Sequence, residues 1–479
     1  PHLASLRYED HDAELEMIIG VSHIDTWVSK QVSRGTPNQP LGINTLFGWT
    51  VVGACGRSDP TTISSSALAT DNERLHKEIE KIFYNDFSIV SDQEMGMSQE
   101  NRVAIKLIEE SIHFDETVQK YRVALPWRYG REKSAEILRS VDSKAMATKR
   151  LMSMVPRLTR DAERRRTIFA NVAKFEEKGI AVTVDEELEN QQALDENRPL
   201  WHLPLLAVDE PTKIRICHDA KASTRGIGLN DLLIGGPNLT NNLASVLIYF
   251  RQHKYVFSCD IAYFFHNVLL DERDKDSFRY LWFADETMRE IVVKRFLSHV
   301  FGSGASSCIT TYTTRHLAER MRDFFPDNVY EALRKRLYVD DGHGGHSLIP
   351  EALLLKNNLI DAMARGGFSL SKWKANHPAL LHQEPGQPTP IVEDKMEKVL
   401  GVHWNPLHDN FRFIWDITKF NLPARTPREL ISVSSSLYDP NGFISPFIML
   451  GRQFLQRAQK GRRGWDTPLD PALAEEFFL

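Results

Sequence analysis

Apolar positions change their period several times along the chain, and each change marks an expected element. Near the start, Leu15-Glu16-Met17-Ile18-Ile19-Gly20 and Leu46-Phe47-Gly48-Trp49-Thr50-Val51-Val52-Gly53 are short apolar runs closed by glycine, the pattern of strands and turns. Residues 57–66 are polar and aperiodic, and read as a linker. Helical spacing begins near Asn72, with Leu75, Ile79, Ile82 and Phe83, and returns over 98–112, 132–154 and 159–178. In the last of these Ile168, Val172 and Phe175 share a face and Gly179 supplies the stop.

Between Val182 and His299 the period shifts towards that of strands, most plainly at 205–208, 213–217 and 255–260. Helices are expected over 306–321 and 349–363. Thr426-Pro427-Arg428-Glu429 opens another, over 428–437: Thr caps, Pro suits the first helical position, and Glu reaches back to the cap's N–H. It runs into the turn Asp439-Pro440-Asn441-Gly442. Strands and helices mixed without strict alternation predict an α+β architecture.

Length and composition narrow the class. A chain of 479 residues, 42% hydrophobic and 26% charged, is folded protein of two to four domains rather than a disordered chain. No stretch approaches the roughly 18 apolar residues of a membrane helix, so no membrane partner is expected. Cys55, Cys217, Cys259 and Cys308 are scattered without a C-x-x-C pair, which favours a reducing, intracellular setting, cytoplasmic (particle-associated) or nuclear. The net charge of −5 argues weakly against nucleic acid, but charge is uneven. Residues 128–178 hold 14 Lys or Arg against 7 Asp or Glu, whereas 185–196 hold six acids and no base. The basic stretch is either a track for a phosphate backbone or a solvated helix face.

Candidate chemistry centres on Leu337-Tyr338-Val339-Asp340-Asp341-Gly342-His343-Gly344-Gly345. An apolar strand reaches two adjacent carboxylates at a hairpin tip, with Gly342 supplying turn freedom. Adjacent carboxylates repel and so favour a hard cation such as Mg²⁺, the ion of phosphoryl transfer. An ordinary Asp-Gly turn would look the same. A second strand, Val256-Phe257-Ser258-Cys259-Asp260-Ile261, also ends in a carboxylate and leads into Tyr263-Phe264-Phe265-His266. Side by side, the two strands would bring three carboxylates together. Phe265 would then screen the sugar of an incoming nucleotide, unless it is a plain core aromatic.

These residues resemble reverse transcriptases, and the flanking sequence narrows the resemblance to BEL/Pao-type LTR retrotransposon polyproteins. The blocks lie in family order across roughly 198–465: Lys213-Ile214-Arg215-Ile216-Cys217-His218-Asp219-Ala220 with Gly228-Leu229-Asn230-Asp231 and Gly236-Pro237; His299-Val300-Phe301-Gly302-Ser303-Gly304-Ala305-Ser306-Ser307; Gly367-Phe368-Ser369-Leu370-Ser371-Lys372-Trp373; Val399-Leu400-Gly401-Val402-His403-Trp404; and Leu437-Tyr438-Asp439-Pro440-Asn441-Gly442-Phe443. The resemblance implies a right-hand polymerase with an antiparallel palm sheet. Its parts would be a peptidase remnant at 1–56, a linker at 57–70, and a helical connector with the start of fingers at 71–197. Fingers and palm would follow at 198–400, then primer grip, thumb and the start of a connection region at 401–479.

It further implies RNA-directed DNA polymerase activity on an RNA or DNA template with primer, using deoxynucleoside triphosphates and two Mg²⁺ ions (Mn²⁺ possible). Asp260, Asp340 and Asp341 would be catalytic, holding metal with the Ile261 carbonyl. Lys213 and Arg215 would hold the triphosphate, with Phe265, Phe301 and Gly302 on the nucleotide, Gly302 permitting close approach to the base pair. Lys372 or Lys374 would protonate the departing pyrophosphate, and Tyr338 would pack by the primer end, with Leu400 and Gly401 in the primer-holding segment. For the lysines, Arg215 and Tyr338, the alternatives are exposed charges and core packing. The family's preceding peptidase needs an Asp-Ser/Thr-Gly loop, which this sequence lacks; the 1–56 stretch reads as an empty remnant, and the chain as a fragment ending before any RNase H or integrase region. Ser307 stands where the family has Pro, and the glycines after Asp341 are expected to loosen the return strand. An inactive relic, a co-opted nucleic-acid-binding protein and another metal-dependent phosphotransferase are the competing readings.

Overall fold

The computed structural model describes residues 31–33, 41–45, 48–52, 97–210, 213–381, 390–415, 425–460 and 464–478. The expected strand at 15–20, the linker and the helix near Asn72 lie outside them. The chain divides into two units, Pro1–Ile89 and Val90–Leu479. The described part of the first is an antiparallel sheet of β1 (Gln31–Ser33), β2 (Leu41–Thr45) and β3 (Gly48–Val52).

The second unit is α+β. It opens on the helix Gln99–Ser111, capped by Ser98 as its spacing predicts. The helix expected over 132–154 is two, Arg131–Arg139 and Ser143–Arg160, because Asp142 accepts from the Ala145 N–H at 2.8 Å and starts a new one. Asp161 does the same for Ala162–Glu177. The acidic stretch forms a helix that periodicity did not reveal, Glu186–Asp195: Asp185 caps it, but Leu188 and Leu194 are exposed and only Ala193 is buried, so no apolar face marks it.

Next come β4 (Leu205–Glu210) and β5 (Lys213–His218), a two-stranded hairpin, then α1 (Leu243–Arg251) and β6 (Tyr255–Ala262). Helices α2 (Ser306–Met321) and α3 (Asp327–Lys335) lead to β7 (Leu337–Tyr338) and β8 (Asp341–His346), followed by α4 (Ile349–Ala364) and β9 (Ser369–Ala375). A hairpin sheet of β10 (Glu397–Val399), β11 (Val402–Asn405) and β12 (Asn410–Arg412) precedes α5 (Pro427–Ser434), α6 (Ser445–Gln459) and α7 (Pro471–Phe478). Thr426 and Glu429 form the expected capping box on α5.

The central sheet runs β7-β8-β6-β9, antiparallel throughout. Its interior strand β6 is apolar almost continuously because both faces are covered. Phe257 joins the main core with Leu355 and Leu359 of α4, while Val256 turns to a second cluster with Val246, Leu247 and Phe250 of α1 and Trp404 of β11. A second sheet, Ala181–Thr183, Ile291–Phe296, Arg279–Phe283 and His202–Leu203, is tied by buried Asp276, which receives Arg279 Nε at 2.8 Å and Arg295 Nη1 at 3.2 Å and lies 3.2 Å from Arg198 Nε. One carboxylate thus neutralises part of three guanidiniums that could not be buried alone.

Candidate metal centre

Strands β7 and β8 pair Leu337 with Gly342 and Tyr338 with Asp341, leaving Val339 and Asp340 as a two-residue turn. The turn therefore differs from its expectation. Asp340 alone occupies the tip, Asp341 begins the return strand, and the residue with positive φ is Val339 (+52°) rather than Gly342. A β-branched residue there is strained by about 1–3 kcal/mol. The Ile261 N–H donates to the Asp340 carbonyl at 2.6 Å, tying the turn to β6. Register between β6 and β8 sets Asp260 directly opposite Asp341, so these side chains share a face of the sheet.

The carboxylates feel one another. Burial, then the neighbouring charges of Asp340 and Asp260, push the Asp341 carboxyl up to about 6. Asp340 is likewise raised, by burial first and Asp260 second. Three hard oxygen donors suit Mg²⁺ or Mn²⁺ in kind. In position they are not yet a cage: among the described residues no three His, Cys, Asp or Glu groups are gathered to hold an ion. Asp260 is already engaged, its Oδ2 accepting from Lys372 Nζ at 2.8 Å. Lys374 points its ammonium elsewhere, to the Lys398 carbonyl at 2.7 Å and Glu397 at 3.5 Å.

On the nucleotide side, Lys213 and Arg215 are exposed on β5 and share one carboxylate, Glu210, at 3.8 and 2.6 Å. Arg215 is close enough to draw the Asp340 carboxyl downward. Phe265 and Phe301 meet edge-on, ring centroids 5.8 Å apart, with Phe301 62% exposed. Gly302 has φ +106°, and a β-carbon there would stand 2.4 Å from the His218 carbonyl oxygen. Its smallness is thus demanded by the end of β5, a reason the sequence did not reveal. Tyr338 and Leu400 pack in the same cluster as Phe250 and Trp404. Leu400 and Gly401, both at positive φ, make the two-residue turn between β10 and β11.

Two residues were missed. Glu210 occupies both candidate phosphate-binding cations. Asn230 clamps the loop before α2, donating to the Gly302 carbonyl at 3.1 Å and accepting from the Gly304 N–H at 2.9 Å. Its place in the Gly228-Leu229-Asn230-Asp231 block was the signal available. The loop ends without a side-chain cap on α2, whose first turn holds Ser307 where the sequence resemblance predicts proline. The glycines of β8 do not loosen it: the strand is regular from Asp341 to His346 and paired with β6 at every position.

Residues 426–477 match the model of the Pao retrotransposon-like RNaseH-like domain. Over that segment the chain is similar to Pao-type retrotransposon polyproteins. The match runs against the expectation that the chain ends before any RNase H region. The described residues of that segment include α5, α6 and α7. Among solved structures, it is similar to a foamy viral protease-reverse transcriptase dRH in complex with double-stranded DNA, at 14% identity and TM-score 0.42, over 65% of this chain and 47% of that one. A foamy viral protease-reverse transcriptase in complex with RNA/DNA hybrid is similar at 13% identity and TM-score 0.42, over 66% of this chain and 37% of that one. The chain spans less than half the length of either. No curated protein matches it. No helix among the described residues is long and apolar enough to cross a membrane.

Proposed function

We propose that the Val90–Leu479 unit contains the RNA-directed DNA polymerase region of a retroelement polyprotein, with a right-hand arrangement in which the β7-β8-β6-β9 sheet is the palm, β4–β5 belongs to the fingers and the β10–β11 hairpin grips the primer. The observation that carries the reading is the register setting Asp260 against Asp341, with Asp340 in the adjoining turn. Asp260, Asp340 and Asp341 would hold two Mg²⁺ ions (or Mn²⁺), with the Ile261 carbonyl assisting. Such ions, when bound, activate an attacking hydroxyl and neutralise the leaving pyrophosphate. Lys213 and Arg215 leave Glu210 to hold the triphosphate of a deoxynucleotide. Phe265 and Phe301 form an aromatic wall against its sugar and base, and Tyr338 with the Leu400–Gly401 turn supports the primer end on an RNA or DNA template.

Primer extension on a primed RNA template tests this. Extension by the chain that depends on Mg²⁺ or Mn²⁺ and falls at least about a hundredfold in Asp340→Asn is expected; extension indifferent to that change refutes the assignment. One observation favours a non-catalytic, nucleic-acid-binding reading: Asp260 is already paired with Lys372 at 2.8 Å. Salt-sensitive binding of an RNA–DNA hybrid without any extension would select it.

A further inference from the structure

Lys372 reaches Asp260 through an irregularity in the sheet. β9 pairs Lys374 with Ser258 and Ser371 with Asp260, so the register slips between them, and Lys372 sits in the slip at φ +50°. A residue with a β-carbon is strained in that conformation, and an ion pair whose lysine is 70% exposed returns little stability to the fold. Strain of this kind gathers at functional sites. Asp260 is the one ionic partner of Lys372 among the described residues. The ammonium also acts on the other two carboxylates, as the foremost of the positive charges drawing Asp340 down and the second, after Lys374, for Asp341.

We propose that Lys372 is the resident counter-ion of the three-carboxylate cluster, competing with a divalent cation for Asp260 and swinging away when the cation binds. This rests on the reading of the aspartates as a metal centre. The ammonium stands on an oxygen that would otherwise be a ligand, and its stem is long and exposed enough to withdraw without disturbing β9. The uncaged arrangement of the three carboxylates is then the lysine-bound state of the site.

Mn²⁺ titration of the full 479-residue chain, followed by the loss of the free-ion electron paramagnetic resonance signal at fixed ionic strength, tests this. Lys372→Met is expected to bind Mn²⁺ about three- to tenfold more tightly than the unaltered chain, and Lys372→Arg within about twofold of it, since only the first removes the competing charge. Equal or weaker binding by Lys372→Met, with an unchanged circular dichroism spectrum, overturns the proposal. Asp340→Asn separates the two failures. If it leaves Mn²⁺ binding unchanged, the metal centre itself is wrong and the proposal falls with it. If it abolishes binding while Lys372→Met changes nothing, the competition alone is refuted.

Discussion

The ring of Phe257 fills the space where a side chain on Gly344, its cross-strand partner, would stand: a β-carbon there would lie 2.3 Å from the ring's Cζ. Overpacking of this kind costs about 1–3 kcal/mol, so Gly344→Ala is expected to lower the urea midpoint accordingly. Phe257→Leu in the same chain should return part of the loss. A double-mutant cycle with no coupling would mean that the ring moves aside freely.

Asp341 sets a pH dependence whose direction is fixed. Its folded pKa, about 6, lies above the ordinary 3.8, so its contribution to stability is full below pH 3.8 and is lost as pH rises through 6. At neutral pH the ionised group strains the fold. Asp341→Asn should therefore stabilise the chain at pH 7.5, by about 1–2 kcal/mol after allowance for solvent screening. Thermal midpoints should show that gain vanishing towards pH 4.

Buried imidazoles act in the opposite sense. His202, His218 and His343 are pushed down to about 3 and His299 to about 4, burial being the largest cause in each. They are neutral in the folded state, so their contribution is full above pH 6.5 and lost as pH falls towards their folded values. Neither ring nitrogen of His343 has a hydrogen-bond partner. His343→Leu is expected to lessen the loss of stability between pH 6.5 and 4.5 by about 1–3 kcal/mol, read from urea midpoints at the two values.

The basic stretch is partly neutralised by one carboxylate. Asp209, on β4, takes Arg157 at 2.9 Å and also pairs with Arg164. Asp209→Ala should uncover both guanidiniums, delay elution from a heparin column to higher salt, and steepen the salt dependence of nucleic-acid binding by about one to two contacts. Unchanged elution would place this face away from any polyanion.

The three aspartates stood out because each ends or interrupts an apolar run, and the start of α5 because Thr426, Pro427 and Glu429 spell out its cap. The identity of the turn was not legible. Local preference pointed to Gly342, but pairing of all of β8 with β6 places Gly342 within the strand and moves the positive φ to Val339. Contacts between distant segments were equally hidden: the slip that brings Lys372 to Asp260 joins strands 112 positions apart, and no pattern within either announces it. Gly302 was picked out for a close approach to a base pair; the close approach within the fold is that of the His218 carbonyl, which only the folded chain supplies.

The hydrogen bond from the Ile261 N–H to the Asp340 carbonyl gives the chain a built-in gauge. Asp260 belongs to a strand held along both edges, whereas Asp340 hangs from a turn of two residues, so one stays put while the other can lift. Each excursion of the turn must release that single amide. Its deuterium uptake therefore counts how often the tip opens, separately from the rest of β6, and a cation or lysine that clamps the tip would register as slower uptake at Ile261 alone.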